Sequence, residues 1–290
     1  MQPVIVTADD FGLSIAVNEA VERAYREGVL THASLMVAGP GAADAVRRAK
    51  QLPGLRVGLH VVAVEGPAVL PRDEIPDLVD RRGWFPSAQF RLGLRYFFLP
   101  HVRRQLAREI RAQFAAFAAT GLPLSHADAH KHMQVHPTVG ALILRIGRDH
   151  GLPRIRIPAE PPAIMAACGV PPTLGARAMY AWCGVLRRQA RTAGLATNDA
   201  AFGLAWTGHV TEARLLELLP KLPPGVNEVY MHPATWRDPI LTGLMPRYEH
   251  QAELAALLSP AVRAALSAPA RWPAAASAGT AMSPPAYSQG

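Results

Sequence analysis

Val4-Ile5-Val6-Thr7-Ala8-Asp9-Asp10-Phe11-Gly12 decides the reading of this 290-residue chain. A β-branched apolar run of this length is the pattern of a buried strand, and it stops at two like charges before a turn glycine and a helix. Adjacent carboxylates repel, so both stay ionised only where water, helix N–H groups, an arginine or a metal ion stabilises them. For the pair taken alone, capping of the following helix by Asp10 or Ser14 is the plain alternative. The rest of the chain weighs against it.

Working outward, strand and helix signals alternate with short connections. The strand over 3–8 leads to a helix over 14–27, with Ile15, Val17, Ala20, Val21 and Tyr25 at helical spacing and a stop at Gly28. Residues 33–38 read as a second strand, 42–51 as a helix, and Arg56-Val57-Gly58-Leu59-His60-Val61 as a third strand that ends in a histidine. Residues 65–87 form a polar, proline-bearing excursion too long for an ordinary barrel loop, a candidate lid or pocket wall. The clearest helix spans 101–120, with Val102, Leu106, Ile110, Phe114 and Phe117 on one face. A short strand over 122–124 then introduces Ser125-His126-Ala127-Asp128-Ala129-His130-Lys131-His132-Met133-Gln134-Val135-His136-Pro137. A helix follows over 138–150, a strand over 154–158 with Arg154 and Arg156 alternating at period two, helices over 175–194 and 211–219, a strand over 228–233 and a helix over 247–258. This succession predicts one α/β domain, a distorted (β/α) barrel of the TIM type, over residues 1–266. Residues 267–290 are rich in Ala, Pro, Ser and Gly without periodicity, and are expected to be a disordered tail.

Half of the chain is apolar and 18% is charged, enough to bury a full core. Cys168 and Cys183 lack the spacing of a redox or zinc pair and read as buried, reduced thiols of a cytoplasmic protein. No apolar run is long enough to span a bilayer. The net charge of +8 comes from 27 arginines and three lysines against 22 carboxylates. It is spread along helices and not gathered in stripes with interleaved aromatics, which argues against a nucleic-acid partner. Anionic lipid headgroups or an anionic substrate remain compatible with it.

The polar outliers fall at matching places. Asp9 and Asp10, His60, the His126–His136 cluster and His232 each sit where an expected strand runs out, and parallel barrels do their chemistry at that rim. A lone histidine such as His60 or His232 is more often a structural hydrogen-bonder, but five such signals converging on one rim point to a site. One carboxylate with two neutral imidazoles leaves an open position for water, as a hydrolytic divalent-metal site requires. In an extended segment His126, Asp128, His130 and His132 would share a face; the Asp-x-His pattern favours His130 as the ligand, oriented by Asp128.

Thr-Ala-Asp-Asp-Phe-Gly at 7–12, Gly-Leu-His at 58–60, His-x-Asp-x-His-x-His at 126–132 with His136-Pro137, and His232-Pro233 together resemble the YdjC/ChbG-like carbohydrate deacetylases over residues 3–265. Phe97-Phe98-Leu99-Pro100, Arg111-Ala112-Gln113-Phe114 and Ala129-His130-Lys131-His132 look most like the hopanoid-biosynthesis-associated HpnK subfamily. The chain departs from that pattern at Gln134, where another histidine is usual, and at Asp128, where asparagine is common. The resemblance implies a distorted barrel, one divalent ion (Mg2+ or Zn2+) held by Asp10, His60 and His130, Asp9 as catalytic base, and hydrolysis of an acetamido group on a sugar.

These readings combine into an expected mechanism. A metal-activated water attacks the acetamide, Asp9 takes its proton, and His232 protonates the departing nitrogen. Arg156 fixes Asp9 or a substrate oxygen, with a buried structural ion pair as the alternative, while Asp128 and His132 serve the substrate or the ligands. Trp206 and Trp236 are candidate sugar platforms that could equally be core. The expected substrate is an N-acetylglucosamine-type sugar on a hopanoid glycolipid, met from the cytoplasm with peripheral contact at the inner membrane. A soluble chitooligosaccharide, a phosphoester split by the same ligands, and a basic membrane-binding scaffold without catalysis are the competing readings.

Overall fold

The computed structural model describes residues 4–267. Eight strands, β1 (Ile5–Phe11), β2 (His32–Leu35), β3 (Arg56–Val61), β4 (Ala127–Ala129), β5 (Arg154–Ile155), β6 (Ala196–Thr197), β7 (Ala200–Phe202) and β8 (Asn227–Met231), form one curled sheet. Around them lie α1 (Ile15–Glu27), α2 (Ala42–Lys50), α3 (Gln89–Phe98), α4 (Pro100–Ala119), α5 (Pro137–Asp149), α6 (Pro162–Ala167), α7 (Leu174–Thr192), α8 (Glu212–Leu218), α9 (Pro239–Leu244), α10 (His250–Leu258) and α11 (Pro260–Ser267). This is the expected α/β, TIM-like architecture in a single domain. The tail over 268–290 lies outside the described residues.

All pairings are parallel, in the order β6-β5-β4-β3-β2-β1-β8-β7. The two edges of the sheet are successive parts of one extended stretch, because β6 pairs with β5 and β7, three residues later, pairs with β8. Between them Asn198 substitutes for a ladder: its side chain accepts from Ile157 N–H at 2.8 Å and donates to Ile157 O at 2.7 Å. That irregular seam is the distortion of the barrel. A buried asparagine satisfies both backbone groups where strand geometry cannot.

Ser14, not Asp10, caps α1, its hydroxyl accepting from Val17 N–H. The Asp10 side chain is therefore free for other work, and its φ of 62° is an unusual conformation for a non-glycine residue. Gly12, with φ 91°, completes the turn, and a Cβ there would crowd the Met36 carbonyl. Gly58 has a different reason: a Cβ at this position would overlap the His126 ring. The helix over 100–119 buries the predicted stripe of Val102, Leu106, Ile110, Phe114 and Phe117. The same face also buries Glu109 and Gln113. Gln113 bonds both backbone groups of Val62, and Glu109 accepts from Val69 and Leu70 N–H at 2.9 Å each. With Ile75, Leu78, Val79 and Phe85 buried, the excursion over 65–87 is a packed wall of the barrel mouth.

The strand expected over 122–124 is displaced: pairing starts with Ser125 N–H on Val57 O, and β4 spans only Ala127–Ala129. A 3-10 turn over His130–Val135 follows, with Lys131 and His132 at φ 50° and 54°. The face expected to be shared from His126 to His132 therefore holds through His130, since Ala129 is extended, and breaks at Lys131. Consecutive left-handed residues at 131 and 132 redirect the chain after His130 and bring His132 onto the Tyr230 hydroxyl, while His126 lies deeper beside His32.

Candidate active site

The barrel interior is polar by design of the strands. Thr7 and Asp9 on β1, Ser34 on β2, Asp128 on β4, Arg154 and Arg156 after α5, and Glu228 and Tyr230 on β8 all belong to one network. Glu228, fully buried, accepts from Thr7 Oγ1 at 2.8 Å, from Arg156 Nε at 2.8 Å and from Arg154 Nη2 at 2.5 Å. Arg156 then forks onto Asp9, with Nη1–Oδ2 2.7 Å and Nη2–Oδ1 2.8 Å, and also meets Asp128 Oδ2 at 2.6 Å. Charged groups survive at zero exposure only with such pairing. Arg156 thus grips Asp9 from within a buried ion-pair network, the contact that both readings of it require.

Above this floor Asp10, His60 and His130 converge. Asp10 Oδ1 lies 3.3 Å from His60 Nε2 and 3.0 Å from His130 Nδ1. Ligands held about 2.0–2.1 Å from a tetrahedral ion lie roughly 3.3 Å from one another, so the spacing suits a bound cation. His60 Nδ1 meets Asp128 Oδ1 at 2.8 Å, which turns its Nε2 toward Asp10, so Asp128 orients His60 and not His130 as expected; His130 is held by Asp10 instead. Asp10 Oδ2 and His130 Nε2 are buried without a hydrogen-bond partner. Asp9, His60 and Asp128 form a second convergent group. Arg156 already pairs with both of its carboxylates, whereas Asp10 meets no arginine among the described residues, so the Asp10 set is the better candidate cation site.

Charge points the same way. Three buried carboxylates, Asp9, Asp128 and Glu228, pair with the two arginines Arg154 and Arg156, and a fourth, Asp10, meets His60 and His130 instead. With both imidazoles neutral two negative charges are left over, which a divalent ion would offset and which, without one, a proton on His60 offsets in part. Burial works against it, yet Asp128 and Asp10 push the His60 imidazole up to about 10. Burial likewise opposes ionisation of Asp10, but His130 and His60 hold it well below the usual carboxylate range. Asp9 differs: burial raises it in spite of Arg156, which suits a proton acceptor.

His232 sits at the end of β8 with its imidazole 88% covered, and its Nδ1 lies 3.9 Å from Glu253 Oε2. Burial, reinforced by His250, His60 and His130, drives it down to about 3, although Asp10 pulls the other way. It is a neutral imidazole at physiological pH. His132 Nε2 meets the Tyr230 hydroxyl at 2.9 Å, and burial lowers this ring also to about 3. Trp206 is core, whereas Trp236 is 48% exposed. Glu228, Tyr230, Ser34 and Glu253 were not anticipated. The signal for the first two was present, since Glu228, Tyr230 and His232 alternate at period two along β8.

Deeper in the barrel, His32 and His126 stack edge to face at 5.6 Å. Burial pushes His32 down to about 3 and His126 to about 4. The unfolded chain takes protons on both below pH about 6.5 while the folded chain does not, so stability falls as pH drops from there toward 4. Each histidine contributes a slope of up to roughly 1.4 kcal/mol per pH unit. Urea unfolding at pH 7, 6 and 5 should show this decline and His32→Gln should flatten it; stability that holds or rises on acidification would contradict the assignment.

A buried carboxylate and two imidazoles that could hold a metal ion converge at the strand C-termini of an α/β barrel, the end where such folds carry their active sites. The chain belongs to the YdjC-like protein family, whose model matches residues 3–268. It is 31% identical over 265 residues to a carbohydrate deacetylase of Geobacillus stearothermophilus, covering 91% of this chain and 92% of that protein. A carbohydrate deacetylase of Brevibacillus brevis is 39% identical over 155 residues, which span 53% of this chain and 59% of the relative. The fold is shared with the crystal structure of an Enterococcus faecalis V583 protein that carries a provisional cellobiose-phosphate cleavage name. That match has a TM-score of 0.70 at 23% identity and covers 91% of this chain and 93% of the other.

Proposed function

We propose that this chain is a metal-dependent carbohydrate deacetylase that removes the acetyl group from an N-acetylglucosamine-type sugar. The observation that carries the reading is the convergence of Asp10, His60 and His130 beside an Asp9 gripped at both oxygens by Arg156. The deacetylase names of its relatives support the substrate class.

A divalent cation at Asp10, His60 and His130, Mg2+ or Zn2+, supplies Lewis acidity for water activation and carbonyl polarisation. Asp9 accepts the proton of the attacking water, its carboxylate aimed by Arg156 and its affinity for the proton raised by burial. Arg156 is itself locked by Glu228, so the base does not rotate away. His232 enters the cycle neutral and relays to the departing amine nitrogen the proton that Asp9 took from the attacking water, so the proton count closes. Asp128 keeps the His60 ring oriented, and His132 with Tyr230 lines the mouth where the sugar enters. The products are acetate and a free amino sugar.

His232→Ala should keep its metal and lose roughly 10² or more in rate, the ordinary scale of a lost acid. An unchanged pH-rate profile in that variant would argue against the role. The finer substrate, a hopanoid glycolipid reached from the cytoplasmic side, rests on the motif likeness around Phe97 and Ala129. Mass spectrometry of N-acetylglucosaminyl glycolipid and of chitobiose after incubation separates the carriers. Loss of one acetyl group from either supports deacetylation, and release of phosphate from phosphorylated sugars without deacetylation would replace it by phosphoester hydrolysis.

A further inference from the structure

The helix over 89–98 is apolar on both sides. Leu92, Gly93 and Tyr96 face the core, with the Tyr96 hydroxyl donating to Ala63 O at 2.7 Å. Phe90, Leu94, Phe97 and Phe98, at spacings of i, i+4, i+7 and i+8, face solvent instead, with Phe90 81% and Phe98 66% exposed. A solvent-facing stripe of this kind on a helix marks an interaction surface. It lies at the mouth of the site: Gln89 donates to the Lys131 carbonyl, next to His130, and Phe97 packs edge-on against His136, the residue that opens α5.

The stripe continues into a cationic cleft. Beyond the Leu99-Pro100 corner, Arg103 and Arg104 of α4 face Arg145 of α5 across a cleft of about 590 Å³. Its floor is Ala107, Pro137, Ala141 and Leu142. Arg91, Arg103, Arg104 and Arg145 make no ion pair among the described residues. The helices α3, α4 and α5 together carry eight arginines against two carboxylates, and one of those, Glu109, is buried. The paired arginines nearby, Arg95 with Asp77 and Arg111 with Asp149, show what the others lack.

We infer that α3 and the α4–α5 cleft form a docking surface for an anionic phospholipid membrane. Its phenylalanines enter the headgroup boundary and its unpaired arginines meet the lipid phosphates. Charge decides the occupant. An acid-poor, arginine-rich rim repels a second copy of the same face and matches an anionic bilayer. Docking there sets the mouth of the barrel against the membrane, where a lipid-linked sugar presents its headgroup. The surface stands independently of the hydrolytic reading, since binding needs no turnover.

Vesicle sedimentation tests it, with pure phosphatidylcholine compared to phosphatidylcholine and phosphatidylglycerol in equal parts. The wild-type chain should pellet with the anionic vesicles only, and high salt should release it. Phe97→Ser with Phe98→Ser should weaken binding at least about tenfold, and Arg103→Gln, Arg104→Gln and Arg145→Gln together on the order of 10²-fold. Both variants should release acetate from chitobiose at the wild-type rate, because none of these residues belongs to the site. Wild-type protein left in the supernatant with anionic vesicles, or equal pelleting of all variants, would overturn the proposal. So would a dimer in light scattering that Phe97→Ser with Phe98→Ser abolishes, since a second copy then covers the face. Binding without acetate release would count against the deacetylase reading alone.

Discussion

Alanine in place of His60 should strip the bound divalent ion and lower acetate release by about 10³-fold or more, since the ion is asked for several kcal/mol of charge stabilisation in the transition state. The expectation follows from three contacts. His60 presents Nε2 to Asp10, its other nitrogen is held by Asp128, and the whole group is buried. Loss of the ring leaves Asp128 short of one buried partner, a cost of about 1–3 kcal/mol that a barrel of this size tolerates. Circular dichroism should therefore report a folded chain while elemental analysis reports the missing ion. Undiminished metal in His60→Ala would move the ion to other ligands and end the assignment.

Asp9→Asn separates proton transfer from metal holding. The variant should keep its ion and lose roughly 10² to 10⁴ in rate, the range for a missing general base. The amide meets Arg156 with one NH2 where the carboxylate offered a second acceptor at 2.7–2.8 Å, so one of the two guanidinium bonds to this residue is lost as well. Arg156→Lys gives a control: it keeps the charge but not the fork, so kcat should fall with KM little changed. Metal loss in Asp9→Asn would show that Asp9 is a ligand.

Much of this site could be read from the chain because strand ends are sharp in sequence. Asp9, Asp10 and His60 stand out as polar residues closing β-branched runs, and the structure places all three at one rim. Arg156 was visible through its period-two alternation with Arg154, and both do reach Glu228. His130 was legible too, since extended Ala129 keeps it in register with Asp128. His132 was harder: its placement depends on left-handed backbone at Lys131 and at itself, which no local preference of those residues dictates; tertiary packing imposes it. Glu228 and Tyr230 left a period-two signal with His232, but a strand with inward polar residues looks like an ordinary exposed alternation until the barrel curls round it. The seam at Asn198 was equally silent, because a side chain replacing a backbone ladder leaves no periodic trace.

The central claim, hydrolysis of an acetamido sugar at a single divalent site, is tested most directly by titrating metal back into chelator-stripped protein while acetate release from an N-acetylglucosaminyl substrate is followed. The account predicts no acetate from the stripped chain, then recovery that saturates at one ion per chain, with free amine appearing in step with acetate. Acetate released at the full rate without metal, or recovery of metal binding with no acetate from any N-acetylated sugar, would contradict it.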